Sequence, residues 1–214
     1  MAGCASPLAN FSFDRGRTFS DSGLRIKYYS VGCFLIEFDG VTFLSDPFWS
    51  HLSFNQITFG KTLTEPGLVD PYLPELKEVS AVFVCHSHYD HMLDLPYIAP
   101  HLKANAQVFG TKTLKNTLHA NHLPLDFINV NDAVARPQSL GRRLTASDGR
   151  LRILPIHSGH PPQYLFFHLF QDRLKVPRQT PPQKVWDYQE GETLAFLIDI
   201  LDEKKEQIVK RVYL

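Results

Sequence analysis

Apolar positions along this chain fall into short runs cut by turn residues, and the runs change character with position. Leu24 to Tyr29 and Cys33 to Phe38 each read as a strand. Asp39-Gly40 is a hairpin signal, Val41 to Ser45 is the returning strand, and Asp46-Pro47 stops it. From Trp49 to Pro74 no period holds, and Pro66, Gly67, Pro71 and Pro74 interrupt the chain. A loop of that length inside a domain predicts a lid or a substrate-binding segment. Val79 to Cys85 is then continuously apolar, the pattern of a strand buried on both faces.

The second half alternates helix and strand before returning to strands. Asp94 is a candidate cap for a short helix reaching about His101, with Pro96 in its first turn. Gln107 to Gly110 reads as a strand, Thr111 to about Asn121 as a helix, and Asp126 to Val130 as the next strand. A hairpin turning at Asp148-Gly149 leads through Leu151 to Ile156 into a histidine-bearing loop. After a Pro-rich stretch over 161–182, the runs from Thr193 to Leu201 and Gln207 to Leu214 form a last hairpin. This order predicts an α/β layered domain with mixed sheets over 23–214, preceded by a flexible lead-in over 1–22. No glycine-rich phosphate loop follows any strand, so nucleotide-cofactor chemistry has no support.

Composition narrows the classes. The chain has 214 residues, 43% of them hydrophobic, enough for one domain with a sizeable core. Lys plus Arg and Asp plus Glu both total 22. A nucleic-acid binder needs a basic excess to neutralise phosphates, so no nucleic-acid partner is expected. No apolar stretch is long enough to span a membrane. Three cysteines, Cys4, Cys33 and Cys85, are too few for a disulfide framework, and the last two sit in apolar runs as small buried side chains. The opening Met-Ala-Gly-Cys-Ala-Ser is similar to the end of a lipoprotein signal without its apolar run. Localisation therefore stays open between the cytoplasm and a membrane-anchored lipoprotein, should Cys4 follow a longer signal.

The densest chemistry lies just after the apolar strand. His86, His88, Asp90 and His91 fall within six consecutive positions. Two imidazoles two residues apart on extended chain project to one side, and imidazole nitrogen with carboxylate oxygen suits zinc and similar ions. The competing account is a solvated turn with incidental histidines. His51, His101, His119, His122 and His168 lack ligand spacing, with His51 the nearest to relevance because its loop begins near Asp46.

This His-x-His-x-Asp-His pattern after a strand resembles the signature of the metallo-β-lactamase fold superfamily. Residues 31–50 look like the first hairpin of that family with its terminal Asp-Pro, and the run from Leu151 to Gln163 looks like the strand delivering a further histidine. The branch it most resembles holds ascorbate-6-phosphate lactonase and N-acyl-phosphatidylethanolamine phospholipase D. The resemblance implies an αβ/βα sandwich of mixed sheets flanked by helices. It implies a dinuclear metal hydrolase that activates water to cleave a phosphodiester, lactone or similar bond, most simply with two Zn²⁺, with Mn²⁺ or Fe²⁺ as alternatives. His86 and His88 would hold one metal; Asp90 and His91 would hold the other, with Asp90 also orienting the nucleophile. A third ligand of the first metal would be His160 or His157, with His160 preferred because it lies clear of the strand. Asp46 would orient a ligand imidazole from behind, or simply shape the Asp-Pro turn.

The same resemblance calls for a bridging aspartate and a last histidine that the sequence up to Leu214 does not supply. The chain is therefore expected to be the N-terminal two-thirds of a longer protein, its sandwich incomplete in the second half and one inner sheet face open. Hydrolase activity from these residues alone is then expected to be weak or absent. A non-catalytic metal-binding module, or a fragment that completes its sheet with another chain, is the alternative. Small-molecule or lipid-like substrates fit the aromatic loop of Trp49, Phe54 and Phe59, which could equally be packing residues; oligomeric state is left open.

Overall fold

The computed structural model describes residues 23–160 and 170–214. Cys4, the 1–22 segment and His168 lie outside them. The described residues form two sheets. The first runs in the order β1 (Arg25–Ser30), β2 (Cys33–Phe38), β3 (Val41–Ser45), β4 (Ala81–Phe83), β5 (Gln107–Gly110) and β6 (Asp126–Asn129). Its first three strands are antiparallel neighbours, and β3 through β6 are parallel. The second sheet is antiparallel, in the order β10 (Ile208–Tyr213), β9 (Leu194–Leu201), β8 (Leu151–His157) and β7 (Leu144–Thr145).

Alternation along the strands explains the layering. Leu35, Leu44, Val82 and Val108 point to one side, where they meet Leu76, Met92, Leu95, Ile98 and Leu114. Their neighbours Ile36, Phe43, Phe83 and Phe109 point to the other side and meet Leu151, Ile153, Phe196, Ile198 and Ile200 of the second sheet. Both faces of β3, β4 and β5 are thus covered, which is why these strands read as unbroken apolar runs. Phe83 is the hub between the sheets, with ring centroids 5.6 Å from Phe43, 5.1 Å from Phe109 and 5.3 Å from Phe196. The expected open inner face is therefore not seen among the described residues: the two inner faces bury one another.

The segment expected to be structureless, Trp49 to Pro74, instead contains α1 (Phe54–Thr58) and α2 (Pro66–Val69), followed by a 3₁₀ run over Asp70–Glu78. Ser53 and Gln56 form a capping box at the start of α1, and Pro66 stands in the first turn of α2. Helices of four or five residues carry no measurable period, so the pattern hid them. Three more follow: α3 (Tyr89–Met92), α4 (Leu95–Ile98) and α5 (Lys112–Thr117), the last capped by Thr111.

Asp94 stands at the N-cap of α4, but its side chain makes no capping bond. Its carboxylate accepts from Trp49 N at 2.6 Å, Ser50 N at 3.0 Å and Ser50 Oγ at 2.5 Å. Burial raises the Asp94 pKa, and those same donors from Ser50 and Trp49 work against the rise. Ser50 Oγ in turn accepts from Glu65 N at 2.9 Å, so one carboxylate ties three loops together.

Candidate metal centre

The site forms where the ends of three strands meet. Asp46 follows β3, the histidine motif follows β4, and His160 stands three residues past the end of β8. The strand ends are stitched by backbone bonds: Asp46 N donates to Phe83 O at 2.9 Å, and Leu194 N donates to Cys85 O at 2.9 Å across the two sheets. Ser87 N donates to Glu190 O at 3.1 Å, which holds the motif from the other side.

Four imidazoles converge. Ring centroids of His86 lie 4.8 Å from His88, 3.9 Å from His91 and 4.6 Å from His160, and His88 is 5.0 Å from His160. Two groups of side chains have all their donor atoms within 4.8 Å of one another: His86, His88 and His160, and His86, Asp90 and His91. Together they offer five residues to one or two cations. His157, the other candidate, is exposed on the end of β8, and its backbone is engaged there, with N donating to Ala135 O at 2.8 Å. His51 is exposed and packs its ring on Phe48 at 5.7 Å, away from the cluster.

The chemistry of the cluster favours a cation. Both ring nitrogens of His86 are buried without a hydrogen-bond partner among the described residues, a costly arrangement for two polar atoms. Burial lowers the His86 pKa far below the ordinary imidazole value, and the neighbouring His91, His88 and His160 push the same way. His88 is lowered too, chiefly by burial. Both are therefore neutral near pH 7, the form that binds metal. Nε2 of His88 stands 3.4 Å from the Phe170 carbonyl oxygen, a partner for a ring N–H that leaves Nδ1 with the free lone pair.

His91 differs. Burial acts to lower its pKa, but the neighbouring charge of Asp46, with a contribution from Asp90, outweighs it and raises the value. Its Nδ1 lies 3.0 Å from Asp46 Oδ2, while its Nε2 lies 4.0 Å from Asp90 Oδ2. The ring thus hands one nitrogen to Asp46 and turns the other towards Asp90 and the cluster. Asp46 is held by a bond from Cys85 N to its Oδ1 at 2.7 Å, and its backbone is left-handed at φ 37°. Aspartate tolerates that conformation better than most side chains. Gly32 makes room for it, since a Cβ there would sit 2.5 Å from Asp46 Oδ2.

The cluster lines a cavity of about 710 Å³, within the size range of small-molecule sites. Val31, Ile57, Phe170 and Val185 form an apolar part of its lining, and Tyr89, Cys85 and Thr193 add to it. Burial raises the Cys85 thiol, with Asp46 acting in the same direction, so it stays protonated. Burial and Asp90 push the Tyr89 phenol up to about 12, which keeps it an O–H group. Of the aromatic trio read from the loop, Trp49 is a core residue beside Tyr29 and Tyr72, whereas Phe54 and Phe59 are exposed at the two ends of α1. The apolar wall and the anchoring role of Asp94 were not visible in the sequence, because neither has a spacing signature.

Residues 42–180 match the model of a family described as the beta-lactamase superfamily domain. An uncharacterised protein of Mycobacterium tuberculosis is 34% identical over 86 residues, which are 40% of this chain and 22% of that protein. A metallo hydrolase of the archaeon Ignicoccus hospitalis superposes with a TM-score of 0.51 at 18% identity, covering 89% of this chain and 59% of that one. A possible metal-dependent hydrolase of Veillonella parvula gives 0.48 at 15% identity, covering 89% and 60%. The chain thus spans less than two thirds of the length of each of these proteins.

Proposed function

Because the chain belongs to the beta-lactamase superfamily and has the metallo-β-lactamase fold, we propose that it is a metal-dependent hydrolase of small molecules. The reaction is cleavage of a phosphodiester, lactone or similar bond by water. The observation that carries this reading is His86, whose two ring nitrogens are buried beside three other imidazoles and Asp90 and have no hydrogen-bond partner among the described residues. His86, His88 and His160 would hold one ion; Asp90 and His91 would hold a second. Zinc is the first choice for such a nitrogen-rich set, with Mn²⁺ or Fe²⁺ as alternatives.

Ions bound there would supply an acidified water and an electrophile for the substrate's carbonyl or phosphoryl oxygen. The chain's own residues do the rest. Asp46 fixes the His91 ring and its tautomer, and the Phe170 carbonyl does the same for His88. Asp90, the most open member of the motif with a side chain 35% exposed, would accept a proton from the attacking water and orient it. Tyr89 retains a proton it can offer as a hydrogen bond.

Metal content decides the matter first. The purified chain should hold one to two zinc equivalents by elemental analysis, and His86→Ala should abolish binding. Hydrolysis of an activated ester or of bis-p-nitrophenyl phosphate, weak as it is expected to be from these residues alone, should then disappear with chelator and return with zinc. A chain that binds no divalent ion, or turnover indifferent to both chelator and His86→Ala, would refute the proposal. One tightly held ion with no turnover of any substrate would mark a structural metal instead.

A further inference from the structure

The described residues lining the cavity include no lysine or arginine. Their acidic members are Asp46 and Asp90, with Asp46 already committed to His91 and Cys85 N. The nearest cation along the chain from the wall, Lys184 beside Val185, has its ammonium over the Trp186 ring, 5.0 Å from the centroid. The apolar part of the lining comes from separate segments, through Val31, Ile57, Phe170 and Val185. Val31 and Trp186 are each 49% exposed. An anionic group held away from the histidine cluster would therefore meet no lysine or arginine among the described lining residues and would displace water from apolar surface without compensation. An uncharged hydrocarbon group would gain from every methylene it buries.

We propose that this cavity takes a substrate, such as a neutral carboxylic ester or lactone, whose acyl side is an uncharged apolar chain, in preference to one carrying a remote anion. This rests on the hydrolase reading for the bond that is cut, and on the wall alone for the group that is held. Hydrolysis adds one water. Its oxygen bonds the carbonyl carbon, the acyl C–O bond breaks, the departing alkoxide takes one proton, and the acid gives up the other at neutral pH. Ile57, Val185, Phe170 and Val31 select the acyl chain; none of them takes part in the chemistry.

The test uses three esters with the same leaving group on the zinc-loaded chain: p-nitrophenyl acetate, p-nitrophenyl octanoate and the mono-p-nitrophenyl ester of suberic acid. The last matches the octanoate in length but ends in a carboxylate. Each methylene fully buried is worth about fourfold, so kcat/KM for the octanoate should exceed that for the acetate by roughly tenfold or more, even with partial burial. The suberate ester should lose most of that gain. Equal rates for acetate and octanoate, or a suberate ester as good as the octanoate, overturn the inference.

Calorimetric binding of octanamide and acetamide reads the wall without any turnover. Octanamide should bind at least roughly tenfold tighter, and Ile57→Ser should reduce that preference while leaving the melting temperature close to wild type. Equal affinities for the two amides overturn the inference. If octanamide is preferred yet none of the three esters is hydrolysed, the apolar site stands and the hydrolase reading falls.

Discussion

Replacing Asp46 by Asn keeps the side chain's shape and an acceptor for Cys85 N–H, but removes the charge that faces His91 Nδ1 at 3.0 Å. Carboxylates behind ligand histidines fix the tautomer and raise ligand basicity, and losing one typically costs roughly 10- to 100-fold in metal affinity. Competition with a chromophoric chelator should show a loss of that size for Asp46→Asn with an unchanged circular dichroism spectrum; unchanged zinc affinity would mean that Asp46 only shapes the turn. Protons give a second test. The folded His86 and His88 have lowered pKa values, so below about pH 6.5 the unfolded chain binds protons that the folded chain refuses. The metal-free protein should therefore lose stability as pH falls from 7.5 to 5.5. His91, with its raised pKa, acts in the opposite sense, contributing stability at low pH that fades as pH rises through its folded value. Melting temperatures of the chelator-treated wild type across that range should fall, and the fall should be smaller in His86→Gln. A flat profile would show that the two lowered imidazoles do not govern it.

Between elements, the decisive contacts come from side chains that obey no period. Asp94 has to satisfy two backbone N–H groups and one hydroxyl at the turn after β3, all of them buried. Buried donors stripped of their partner cost about 1–3 kcal/mol each, more where the partner was charged. Urea unfolding of Asp94→Ala should show a loss of about 3 kcal/mol, with Asp94→Asn intermediate because it retains an acceptor; a loss below about 0.5 kcal/mol would remove the knot from the account. The strands were legible because their apolar runs carry the two-face burial directly: β2, β3 and β5 end where the sequence places them, at Asp39-Gly40, at Asp46-Pro47 and after Gly110. The strand read over Val79 to Cys85 shortens to Ala81–Phe83, since the residues around it bond in loops. The helices between Ser53 and Val69 were illegible because one turn of helix has no repeat to detect. Likewise the histidine motif announced itself through ligand spacing. The choice between His157 and His160 depended on how the chain turns after β8, which local spacing does not encode.

For the molecule as a whole, the candidate centre is a seam between two sheets that otherwise meet through Phe83, Phe109 and Phe196. His86, His88, Asp90 and His91 belong to the end of the first sheet, and His160 belongs to the second. An ion held by His86, His88 and His160 would join the layers near their open ends, where the backbone link is Leu194 N to Cys85 O. A ligand that binds only the folded state stabilises it by about 2.7 kcal/mol at roughly a hundred times its dissociation constant. Zinc at that excess should raise the melting temperature by several degrees, and chelation should reverse the rise. The gain belongs to the seam only if it needs a residue from each sheet. His160→Ala should therefore abolish most of it, although the ligands on the first sheet remain. His157→Ala, which removes an exposed side chain from the end of β8, should leave it intact. Hydrogen exchange sharpens the distinction: zinc should slow amides at the ends of both β4 and β8 in the wild type, and only around the motif after β4 in His160→Ala. Equal protection of both strands in the variant would place the ion wholly on the first sheet and end the idea of a metal that joins the layers.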